Sequence, residues 1–121
     1  MLRALCWLGV RTPHFAETVA FYRDVMGLEL WHDEPEAARF RLGNGTELHV
    51  YGAGDVDHDF FSSAPVVGFQ VDDFATTRER MIAAGIEFIG PVQKDADATW
   101  NHFRGPDGNV YEIMERTTGG D

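Results

Sequence analysis

A repeat within the 121 residues narrows the possible folds more than any other feature of the chain. The stretch WLGVRTPHFAETVAFYRDVMGLEL, starting at Trp7, aligns with VVGFQVDDFATTRERMIAAGIEFI, starting at Val66, at an offset of 59. Gly9 falls on Gly68, Phe15 on Phe74, Ala16 on Ala75 and Thr18 on Thr77; dropping one residue then sets Gly27 on Gly85. The match resumes where FRLGNGTELHV, from Phe40, lies over FRGPDGNVYEI, from Phe103, which puts His49 on Glu112. Two copies of one pattern imply two copies of one supersecondary unit.

Each copy reads as strand, helix and three strands, an α+β arrangement of two βαβββ modules. In the first copy a strand over 4–12 precedes a helix over 15–26, where Phe15, Val19, Tyr22 and Met26 recur at helical spacing and make one apolar stripe. Strands follow over 28–33, 37–42 and 47–51. The second copy repeats the order with a strand over 66–71, a helix over 73–84 and strands over 86–92, 99–104 and 110–115. Gly27 and Gly85 stand where a helix end takes up a left-handed residue. The modules are expected at 4–52 and 65–116, joined by a linker over 53–64 within a single domain, 1–121. That linker carries Phe60 and Phe61, which are out of place in purely solvated chain and are expected to tether it or to seal a pocket.

Twenty acidic against ten basic residues give a formal charge of −10, which repels a phosphate backbone and excludes nucleic acid as a partner. The same surplus suits solubility or the attraction of a cationic small molecule. No apolar run reaches the roughly 18 residues of a membrane span, so no membrane partner is expected. A lone cysteine, Cys6, rules out an internal disulfide and fits a cytoplasmic location.

The doubled unit, with AFYRDVMGLEL in the first half, VDDFATTRERMIAAGIEF in the second and FRGPDGNVYEI near the end, resembles the vicinal oxygen chelate superfamily. That superfamily includes glyoxalase I, extradiol dioxygenases, fosfomycin-modifying enzymes and bleomycin resistance proteins. The resemblance spans Trp7 to Glu115 and implies a cupped mixed eight-stranded sheet with its helices on the outer face, and a homodimer. It also implies metal ligands at four strand positions, which fall here on Trp7, His49, Val66 and Glu112. Only His49 and Glu112 of these can coordinate an ion.

Strand alternation gives Glu47, His49 and Tyr51 to the face away from the helices, along with Val110, Glu112 and Met114. On this reading Trp7, Tyr51 and Trp100 supply flat apolar surfaces beside Arg11, His49, Gln70 and His102, a set suited to a planar organic ligand. The expected function is metal-free binding of a small aromatic or cationic molecule, similar to resistance proteins that sequester a drug, with no cofactor. The alternative is a metal-dependent lyase, isomerase or dioxygenase using His49, Glu112 and His102 as a third donor. Glu112 is also the candidate catalytic residue, since a buried carboxylate with a raised pKa can act as a general base. Pairing of Glu112 with His49 or Arg11 would be structural instead. His14 falls at a helix N-terminus, and His32 and His58, in polar, acidic sequence, read as solvated imidazoles.

Overall fold

The computed structural model describes residues 2–61 and 65–117. Three residues of the expected linker, 62–64, lie outside the described residues. Among the described residues, eight strands of mixed direction and two α-helices make the chain α+β: β1 (Leu2–Arg11), α1 (Phe15–Ala20), β2 (Glu29–Glu34), β3 (Ala37–Arg41), β4 (Glu47–Tyr51), β5 (Val66–Val71), α2 (Phe74–Ala83), β6 (Glu87–Lys94), β7 (Ala98–Arg104) and β8 (Val110–Arg116). No helix among the described residues is long and apolar enough to cross a membrane. The chain divides into two compact units, one of Cys6–Val66 and one of Met1–Leu5 with Val67–Asp121.

In the first unit the strands lie in the order β2-β3-β4-β1, with β1 and β4 parallel and the other neighbours antiparallel. Alternation decides which face is packed. Ala38, Phe40, Leu48 and Val50 point to one side and form a core with Val19 of α1, joined by Leu8, Phe15 and Tyr22. Glu47, His49 and Tyr51 therefore take the other side. The expected stripe over 15–26 is interrupted: α1 ends at Ala20, and Phe21–Val25 form a π-helical turn closed by Met26 N–H donating to Phe21 O at 3.0 Å. A π turn inserts one residue into the helical phase. Phe15, Val19 and Tyr22 keep their places on the core, whereas Met26 is rotated out and is 56% exposed. Gly27 then reverses the chain at φ +72°.

In the second unit the order is β5-β8-β7-β6, with β5 and β8 parallel. Val71, Phe74, Phe103 and Ile113 form its core, with Phe69, Met81, Ile86, Phe88 and Tyr111 packed around them. Asp73 caps α2, accepting from both Thr76 N–H and Thr76 Oγ1–H at 3.0 Å, and Gly85 ends the helix at φ +94°. Phe74 N–H, another donor of the first turn, reaches Glu115 Oε1 at 2.7 Å and ties the helix to β8. The register of β6 slips between Ile89 and Gln93, and buried Asn101 holds the irregularity. Its amide donates to the carbonyls of Ile89, Gly90 and Pro91 at 3.3–3.4 Å, while its oxygen accepts from Arg78 Nε at 2.9 Å. Burying Asn101 is tolerable because both ends of its amide are satisfied.

Candidate functional site

On the first unit's face away from α1, the parallel register of β1 and β4 sets Gly9 opposite His49. Trp7 lies across Gly9 so closely that a Cβ there would come within 2.3 Å of the indole Cη2. The absence of a side chain at position 9 therefore lets the indole lie flat and aim its Nε1–H at His49 Nδ1, 2.9 Å away. An indole nitrogen only donates, so Nδ1 is the acceptor and the imidazole proton sits on Nε2. That proton points at Glu47 Oε1, 2.9 Å distant. Burial pushes the His49 pKa down, against the pull of Glu47, and the charges of Arg39 and His58 push the same way as burial. Burial also acts to raise Glu47, but His49 and Arg41 outweigh it and hold that carboxylate below its usual range.

Tyr51, two residues along β4, completes this cluster, its hydroxyl 3.0 Å from His49 Nδ1. One face of its ring is covered: His58 stacks on it at 3.7 Å and 13°, and Phe61, 6% exposed, packs edge-on at 6.3 Å. His58 is thus not a solvated imidazole, because the stack buries aromatic surface that the loop after β4 would otherwise expose. Asp55 anchors the fold-back, accepting from His58 N–H at 2.9 Å and lying 3.5 Å from Arg11 Nη1. Arg11 also donates to Ala53 O. His49 and Arg11, the partners expected for a structurally paired Glu112, are engaged instead by Glu47 and Trp7 and by Asp55, respectively.

The second unit's equivalent face carries Gln70, Trp100, His102 and Glu112. In register, Glu112 is flanked by Gly68 on β5 and His102 on β7, and Met114 by Gln70 and Trp100. Phe103 faces the α2 core, which turns His102 to the same side as Glu112. Glu112 is 6% exposed, and its Oε2 lies 3.5 Å from His102 Nε2. That separation is too long for a strong hydrogen bond, so burial governs the carboxyl and pushes its pKa up to about 8. At neutral pH Glu112 is mostly a neutral carboxylic acid, able to donate as well as accept.

The metal ligands implied by the family resemblance do not fit these residues. Trp7 offers no lone pair and engages the one on His49 Nδ1, and Val66 has no donor atom. Among the described residues no three His, Cys, Asp or Glu side chains are grouped as a bound ion requires. Sequence reading did not single out Asp55 and Arg39, and it took His58 for a solvated imidazole. Arg39 had a signal, since it adjoins core-facing Phe40 and alternation therefore puts it on the His49 face; Asp55 and His58 lie in an aperiodic loop and had none.

Comparison with known proteins agrees with the fold. The sequence matches the Glyoxalase/Bleomycin resistance protein/Dioxygenase superfamily over residues 4–113. It is 25% identical over 121 residues to the uncharacterized protein YetH of Bacillus subtilis (strain 168), covering 95% of this chain and all of that one. The structure is similar to methylmalonyl-CoA epimerase from Mycobacterium tuberculosis (TM-score 0.73, 17% identity, 94% of this chain and 88% of that one). A glyoxalase/bleomycin resistance protein/dioxygenase superfamily member from Vibrio splendidus 12B01 is also similar (TM-score 0.69, 18% identity, 95% of this chain and 99% of that one). With a family match running through both copies of the repeat and a fold to go with it, this chain belongs to the Glyoxalase/Bleomycin resistance protein/Dioxygenase superfamily.

Proposed function

We propose that the protein binds a small organic molecule without a metal ion, on a sheet face turned away from the helices. The observation that carries this reading is the state of Glu112, a carboxyl buried to 6% exposure and raised to a pKa of about 8. An acid kept neutral in this way presents an O–H donor to a ligand acceptor in a low-dielectric setting, where one hydrogen bond discriminates strongly. Trp100, opposite Met114 on the same face, supplies aromatic surface. The poor fit of the donor set to a divalent ion supports the metal-free part of the reading.

The test uses the closeness in shape of glutamine to protonated glutamate. Tryptophan fluorescence is titrated with neutral, cationic and anionic planar aromatics, using wild type, Glu112→Gln and Glu112→Ala. Glu112→Gln should keep affinity within about threefold, and Glu112→Ala should lose about tenfold, the size of one good buried hydrogen bond. No saturable response to any class would overturn the reading. So would near-stoichiometric Zn, Fe, Mn or Ni, in protein purified without an affinity tag, that is lost on His49→Ala.

The pKa of Glu112 also favours a second reading, proton transfer by this carboxyl, since a group poised near the working pH serves best as a general acid or base. Here Glu112→Gln would abolish turnover of a bound compound while leaving its affinity intact.

A further inference from the structure

The charges on the first unit's ligand-facing side do not balance. Arg11 has Asp55, and Arg41 lies 3.4 Å from Glu47 Oε2, which leaves Arg39. Arg39 sits directly opposite His49 in the β3–β4 register. Among the described residues it has no carboxylate in ion-pairing range, although the chain holds twenty acidic residues against ten basic ones. Its Nε is buried with no hydrogen-bond partner among the described residues. A guanidinium cannot shed its proton to relieve this, so the donor remains charged and unsatisfied. The group is also held in place. Its Cζ lies 5.7 Å from the centre of the Trp31 ring, over which Arg41 stacks at 4.7 Å.

This inference rests on the reading that the protein binds a small organic molecule, and it names the class. We propose that Arg39 is the anchor for the carboxylate of a small organic acid, donating to it from Nε and a neighbouring Nη in a two-point fork. Carboxylate oxygens match that fork geometrically. A singly charged carboxylate also suits one surplus guanidinium better than a phosphate dianion, because the ionised Glu47 nearby repels the second charge. His49 opposes Arg39 as a neutral ring and adds no competing charge. The assignment departs from the cationic ligand that the net charge of −10 suggests, because local pairing, and not the total, decides what the face accepts.

The test is made on the full chain by following arginine Nε–H resonances in ¹⁵N correlation spectra, with the Arg39 signal identified by its loss in Arg39→Lys. Benzoate, 3-phenylpropionate, their amides, benzylamine and inorganic phosphate are added in turn. The two carboxylates should shift the Arg39 signal saturably, and the amides and benzylamine should bind at least tenfold more weakly. Arg39→Gln should weaken carboxylate binding at least tenfold, with Arg39→Lys in between. An amide or amine binding as tightly as its carboxylate partner would overturn the proposal, as would full carboxylate affinity in Arg39→Gln. Phosphate binding as well as benzoate would replace the carboxylate assignment with a general anion site. If Arg39→Gln does not fold, the wild-type ranking of probes decides alone. Binding of aromatics in the fluorescence titration with no shift at Arg39 would overturn this proposal and leave the proposed function standing.

Discussion

Glu112 and Gly9 are both tightly constrained by their surroundings. Glu112 ionises near its ordinary value of about 4.5 when unfolded and near 8 when folded. Between those values the folded state holds the proton and the unfolded state does not, so stability falls as pH rises through the window and levels off above it. Glu112→Gln removes the ionisable group. Urea unfolding at pH 5, 7 and 9 should show the wild type losing ground to the variant by a few kcal/mol in total; parallel curves would contradict the burial of a protonated acid. Gly9→Ala should cost about 1–3 kcal/mol through overpacking against the indole, and should shift the Trp7 emission to longer wavelength as the ring is pushed into solvent.

Among the elements, the strands and α2 were legible because periodicity and caps act locally. The sequence already put His49 on the face away from the helices and a helix over 73–84 before Gly85, one residue early at its start because Asp73 is the cap. The π turn at Phe21–Val25 was not legible, since the spacing of Phe15, Val19 and Tyr22 fits a regular helix equally well and only Met26 betrays the added residue. The loop after β4 was opaque for another reason: stacking of His58 on Tyr51 joins residues seven apart with no repeating pattern. The role of Asn101 escaped notice because its partners are backbone carbonyls, which carry no sequence signature. Asn101→Ala leaves those carbonyls and Arg78 without it. It should cost about 1–3 kcal/mol and speed amide exchange around Gly90 and Val92, which hydrogen-exchange mass spectrometry would resolve.

For the molecule as a whole, the duplication was the most legible feature and the chemistry of its halves the least. A repeat transmits fold through glycines and apolar positions, whereas the polar groups at equivalent places are free to diverge, as His49 and Glu112 have. The formal charge of −10 also acts globally. Raising salt from 20 mM to 0.5 M should increase the melting temperature by a few degrees as self-repulsion is screened, measured by circular dichroism. A further consequence follows from the opposite displacements of the two equivalent residues. Acidification protonates His49 only at a pH below the ordinary imidazole range, and alkali ionises Glu112 only at about 8, so neutral water leaves both of these equivalent side chains uncharged. Divergence of the two copies has opened a plateau of pH, bounded by an imidazolium on one side and a carboxylate on the other. Affinity that depends on the Glu112 O–H should run level below the carboxylate edge and fall away above it.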